Sequence, residues 1–180
     1  MRKKIRVLIV DDSIFFRKFM SDALSAVPSI EVAGLASDAY EAMEKIGQLN
    51  PDVVTLDIEM PKMRGTDFLR KMLPKYPGIQ VVAISSVSNN VFEALKAGAV
   101  DFVSKPSRQV GMDNDAFIKE AVQKICIAAS LSLTKSPGYG QKAAHRVEFA
   151  PSYAAYYVRG RGIEEARWRC RREVPCRESR

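Results

Sequence analysis

The chain has 180 residues, 47% of them hydrophobic and 27% charged, which is enough apolar material for one well-buried domain with something left over and too much for a wholly disordered chain. No apolar run approaches the roughly 18 to 20 residues that span a bilayer, and Val7-Leu8-Ile9-Val10 is too short for a signal-peptide core, so neither a membrane span nor secretion is expected. The net charge of +7 is unevenly spread: residues 1–131 carry 17 Lys/Arg against 16 Asp/Glu, a net of +1, while residues 132–180 carry 11 against 5, a net of +6.

Taken in chain order, residues 1–131 alternate short apolar strands with amphipathic helices. Ile5–Val10 reads as a strand, and Phe16, Phe19, Met20, Ala23, Leu24 and Val27 recur at helical spacing until Pro28. Ile30–Leu35 is the second strand and Ala39–Leu49 the second helix, stopped by Asn50-Pro51. Val53–Leu56 is a third strand, followed by the loop Asp57–Gly65 and a helix near Thr66–Leu73. Val81–Ile84 is a fourth strand, Val91–Ala97 a helix closed by Gly98, and Val100–Val103 a fifth strand. Phe117, Ala121, Val122, Ile125 and Ala129 mark a closing helix. Strands one, three and four are near-continuous in Val, Ile and Leu, as strands buried on both faces must be. The alternation predicts an α/β doubly wound parallel sheet covered by helices on both faces.

In such a sheet, ligands bind beyond the carboxyl ends of the strands. This chain puts Asp11-Asp12 after strand one, Asp57 after strand three, Ser85-Ser86 after strand four and Lys105-Pro106 after strand five. Crowded carboxylates repel one another and recruit a cation, and an oxygen-only set suits Mg2+. A carboxylate beside that metal can act as a nucleophile toward a phosphoryl group, with Lys105 and Ser85 holding the phosphoryl oxygens. Taken singly, each of these residues is better read as a strand end or as the cap of the next helix. Five of them at one edge of one sheet outweigh that reading.

The runs V-L-I-V-D-D-S, L-D-I-E-M-P, A-I-S-S and D-F-V-S-K-P resemble the receiver domain of bacterial response regulators over residues 4–131. L-D-I-E-M-P with G-A-V-D-F-V-S-K-P is similar, within that family, to the N-terminal receiver of the chemotaxis protein-glutamate methylesterases, the CheB proteins. The resemblance implies a flavodoxin-like (βα)5 fold with strand order 2-1-3-4-5. It also implies roles: Asp57 as phospho-acceptor, Asp12 on Mg2+, Asp11 through a metal-bound water, and Glu59 offering its backbone carbonyl. Lys105 would pair with the phosphoryl group, helped by a cis bond to Pro106. Ser85 would move toward the phosphoryl group and Phe102 would change rotamer with it, relaying the change to the face of the fourth helix, fifth strand and fifth helix. The implied phosphodonor is a chemotaxis-type, CheA-like histidine kinase. Two features depart from the pattern. Arg64 stands where an acidic or small residue is usual, and the connection from Ser85 to the fourth helix is short for the methylesterases.

Residues 132–180 read as a linker and basic tail. They hold one histidine, His145, no aspartate and no Gly-x-Ser-x-Gly elbow, so no Ser-His-Asp triad, and hence no esterase activity, is expected from them. Ser136–Gly140 is a turn-rich linker. The arginine-dense end with Trp168 fits an interrupted reading frame best. A nucleic-acid or acidic-partner arm and a small ordered extension are the alternatives, but residues 167–172 show no helical period and no nucleic-acid motif, so nucleic acid is not the expected partner. Three cysteines, Cys126, Cys170 and Cys176, form neither a disulfide framework nor a zinc pattern, and a reducing cytoplasm is expected.

Overall fold

The computed structural model describes residues 3–86, 91–106 and 114–132. The expected linker at 136–140, His145, Trp168, Cys170 and Cys176 lie outside the described residues, as does the connection at 87–90. Among the described residues the elements run β1 (Ile5–Val10), α1 (Ile14–Ser25), β2 (Ile30–Ala36), α2 (Ala39–Leu49), β3 (Val53–Asp57), α3 (Gly65–Met72), β4 (Gln80–Ser85), α4 (Val91–Lys96), β5 (Asp101–Ser104) and α5 (Asn114–Ser132). The sheet is all parallel in the order β2-β1-β3-β4-β5. The doubly wound flavodoxin-like arrangement expected from the sequence is therefore the one observed.

Strand periodicity sorts the core into two layers. Leu8, Val10, Val54, Leu56, Val81 and Ala83 face one side, packed with Phe68, Leu69 and Met72 of α3. Val7, Ile9, Val53, Val82, Ile84 and Val103 face the other, packed with α1 and α5 through Met20, Leu24, Phe117 and Ile125. β3 and β4 are buried at every position, which explains why their sequences show no polar alternation. Edge strand β2 is only half-buried and slips register between Val7 and Leu8, so that Val32 and Gly34 pair with consecutive residues of β1.

Local signals set the ends of the elements. Asn50 closes α2 in the left-handed conformation, at φ 46°. Gly98 turns the chain after α4 at φ 107°, a backbone open to glycine and strained for other residues. α1 starts two residues before the first core position expected for it, because Ser13 caps it by accepting from Phe16 N at 3.3 Å. Its first residues, Ile14 and Phe15, are exposed and so contributed nothing to the core pattern. No helix among the described residues is long and apolar enough to cross a membrane.

Candidate functional site at the carboxyl edge of the sheet

β1 and β3 are neighbours at the centre of the sheet and end at the same level, Val10 opposite Leu56. The next residue on each chain is a buried aspartate. Asp11 is 1% exposed and Asp57 3%. Each closes the same local turn. Ser13 N donates to Asp11 Oδ1 at 2.9 Å, and Glu59 N donates to Asp57 Oδ1 at 3.0 Å. One oxygen of each carboxylate is thus fixed by backbone and the other is turned into the site. Gly65 completes the frame behind Asp57: a Cβ there would stand 2.4 Å from Asp57 O and 2.9 Å from Ile58 Cα, so only glycine lets α3 start this close to the end of β3.

Lys105 reaches both free oxygens. Its ammonium lies 2.6 Å from Asp57 Oδ2 and 2.7 Å from Asp11 Oδ2, with the lysine side chain 15% exposed. The Asp57 contact has hydrogen-bond geometry. The Asp11 contact is an ion pair outside hydrogen-bond angles, which leaves Asp11 Oδ2 buried without a hydrogen-bond partner. Burial pushes the Asp11 carboxyl above its ordinary range, against the pull of Lys105, and the Asp57 charge adds to the rise. Burial alone would depress the Lys105 ammonium, but its close ion pairs with Asp11 and Asp57 outweigh it and hold the group above its usual value.

The exposed Asp12 joins this pair: one oxygen of each of Asp11, Asp12 and Asp57 lies within 4.8 Å of the others. An octahedral Mg2+ with ligands at about 2.0–2.1 Å places opposite oxygens about 4 Å apart. The set is all oxygen, is close to that span, and includes a buried carboxylate oxygen with no hydrogen bond, so these residues fit a hard divalent cation.

The remaining expected residues fall around this centre. Ser85 ends β4, fully buried, and its carbonyl accepts from Lys105 N at 2.9 Å. Glu59 is exposed in the loop after Asp57. Phe102 is buried on β5 in the layer shared with α2, α3 and α4. Its carbonyl accepts from Lys124 of α5, which also pairs with Asp101 at 3.1 Å. Arg64 is exposed at the start of α3, on a cleft of about 650 Å³ that it shares with Tyr40, Met63 and Arg70 and that excludes the carboxylate cluster.

One expectation needs correcting. No peptide bond among the described residues is cis, so Lys105–Pro106 is trans. Trans is the intrinsically favoured isomer by about 0.5–1 kcal/mol. In that form Lys105 still extends the strand pairing through its N–H and still reaches both carboxylates. Sequence reading also assigned Phe16 to the core face of α1 and nothing more. Its ring centroid lies 4.7 Å from Lys105 Nζ. Its place in the first turn of α1, four residues after Asp12, was the available signal.

Residues 7–116 match the response regulator receiver domain. The chain belongs to that family. Receivers of this family carry their phosphoryl group on an aspartate at such an acidic edge. This receiver is 48% identical over 127 residues to a protein-glutamate methylesterase/protein-glutamine glutaminase 2 of Syntrophomonas wolfei, a match covering 71% of this chain and 37% of that protein. It thus spans a little over a third of the length of the curated relatives it matches first. The crystal structure of the response regulator domain of Thermotoga maritima CheB is similar with a TM-score of 0.65 at 39% identity, covering 71% of this chain and 98% of that one. A chain in the crystal structure of the CheX-CheY-BeF3-Mg2+ complex from Borrelia burgdorferi is 29% identical with a TM-score of 0.58, covering 74% and 92%.

Proposed function

We propose that this receiver is a phosphorelay regulator that accepts a phosphoryl group on Asp57 from a chemotaxis-type histidine kinase and signals by protein contact. The observation that carries the reading is the Lys105 ammonium set between the free oxygens of Asp57 and Asp11, with Asp12 beside them. An Asp57 oxygen attacks the phosphorus of a phosphohistidine, and the imidazole nitrogen leaves with the bonding pair. Water attack at phosphorus later releases phosphate and restores the carboxylate. Mg2+ held by Asp11, Asp12 and Asp57, with the Glu59 carbonyl, would neutralise charge on the phosphoryl oxygens.

The chain's own residues do the rest. The turn from Glu59 N holds Asp57 in one orientation, so the attacking carboxylate is aimed before the donor arrives. Lys105 supplies a fixed positive charge at the acceptor oxygen, beside two buried carboxylates where water screens it only partly. Ser85, at the end of the adjacent strand, is the hydroxyl that would move toward the new charge. Phe102 would then repack and pass the change to the face formed by α4, β5 and α5. Residues 1–131 form the receiver unit in this reading, and 132–180 an appended segment outside it.

Labelling by a phosphorylated CheA-like kinase tests the assignment. Wild type takes up one phosphoryl group and Asp57→Asn takes up none. A variant that labels as fast as wild type removes Asp57 from the role. The methylesterase relatives favour a second, narrower reading, in which the chain is the regulatory part of such an enzyme. It predicts that the receiver added in trans changes the rate of an isolated methylesterase catalytic domain only when phosphorylated.

A further inference from the structure

The Lys105 ammonium has a third neighbour besides the two carboxylates: the face of the Phe16 ring, 4.7 Å from Nζ to centroid. The ring is held in place from behind. It lies 5.8 Å from Phe117 and 6.0 Å from Phe19, and Phe117 is fully buried in the layer between the sheet, α1 and α5. The Ser13 cap fixes the backbone of the same residue. Phe16 therefore presents its negative ring face to the ammonium from a position that core packing and helix capping both determine.

The three contacts differ in what else competes for them. A divalent cation in the carboxylate cluster draws on the charge of the same two carboxylates, Asp11 and Asp57, and a phosphoryl group on Asp57 consumes one oxygen of its carboxylate outright. Each event weakens the pairs between Lys105 and the carboxylates themselves, and the phosphoryl oxygens become a partner for the ammonium only once transfer has occurred. Neither event touches the ring, because neither a hard cation with oxygen preference nor a phosphoryl group displaces an ammonium from an aromatic face. We propose that Phe16 is a positioning residue for Lys105: its ring keeps the ammonium at the acceptor end of the sheet when the carboxylates are otherwise engaged. This rests on the reading of Asp57 as phospho-acceptor, and the test separates the two.

The first arm needs no phosphoryl transfer. In side-chain NMR of the full chain, the Lys105 Hε protons are displaced upfield by the ring in wild type, and the displacement is absent in Phe16→Leu. It persists when Mg2+ is added. The second arm is the rate of labelling by a small-molecule phosphodonor at saturating Mg2+. Phe16→Leu is about two- to thirty-fold slower, the range expected for losing a cation–π contact. Phe16→Tyr keeps the wild-type rate. Replacing Phe16 by mono-, di- and pentafluorophenylalanine, which keeps the shape and drains the ring face, lowers the rate stepwise. A purely structural Phe16 would leave the fluorinated series as fast as wild type, and that result overturns the proposal. So does an upfield displacement that is absent in wild type or vanishes with Mg2+. If wild type takes no label on Asp57, the acceptor reading fails, and the NMR arm still decides whether the ring holds the ammonium.

Discussion

Asp11 and Asp57 are fixed by the same device, a side-chain oxygen accepting from the amide two residues on. Two residues before Asp57, Thr55 shows what happens where no such partner exists. Its Oγ1 is buried on the face packed by α1 and α5, with no hydrogen-bond partner among the described residues. A buried hydroxyl without a partner costs stability that an isosteric methyl does not. Thr55→Val is expected to raise stability by about 1 kcal/mol in urea unfolding, with labelling of Asp57 unchanged. A titratable residue gives a second prediction. Hydrogen bonds from Lys45 and then from Ser37 hold Glu41 at a pKa of about 2, below its ordinary 4.5. A depressed carboxyl stabilises the fold above pH 4.5 and loses that contribution as the pH falls toward 2. The two side chains are 33% and 37% exposed, so solvent screens the pair and Glu41→Gln should cost only about 0.5 kcal/mol at pH 7. That difference from wild type should vanish near pH 2, as followed by denaturant titrations across the range.

Among the elements, the joint between β3 and α3 carries the most constraint. Gly65 N donates to Ile58 O at 3.0 Å, and α3 begins against the backbone of Asp57 and Ile58. Gly65→Ala must displace either α3 or the end of β3. It should cost about 1–3 kcal/mol and slow labelling, whereas Gly78→Ala, with no atom within 4 Å of the added Cβ, should stay within about 0.5 kcal/mol. The elements themselves were legible in the sequence because buried parallel strands and amphipathic helices leave opposite patterns, and Asn50 and Gly98 marked real helix ends. The start of α1 was not, since a serine cap followed by exposed Ile14 and Phe15 breaks the apolar period. The bulge in β2 left no mark either, because an edge strand tolerates the extra residue at Ala33 without losing its apolar character. The isomer of Lys105–Pro106 was inferred from resemblance alone, and no local residue pattern specifies it.

For the whole molecule, strand order decides which strand ends become neighbours. β1 and β3 are adjacent and β4 and β5 follow, so Asp11, Asp57, Ser85 and Lys105, far apart in the sequence, reach one edge. The doubly wound topology was readable from the alternation of elements, and with it the list of residues at that edge. The pairing of Lys105 with two carboxylates at once, and the ring behind it, depend on side-chain packing between α1 and α5 that no spacing encodes. The residues 1–131 are nearly neutral, so the concentrated charge at this edge is a local property, offset within the site by one lysine. The site then has a definite expected chemistry: a cation-dependent transfer to a single aspartate. The measurement that tests it most directly is the intact mass of the full chain after incubation with a small-molecule phosphodonor, with and without Mg2+, beside Asp57→Ala. Wild type is expected to gain one phosphoryl group with Mg2+, and none is expected without the metal or in the variant. An adduct of the same size on Asp57→Ala, or one on wild type that forms equally well in chelator, would contradict it.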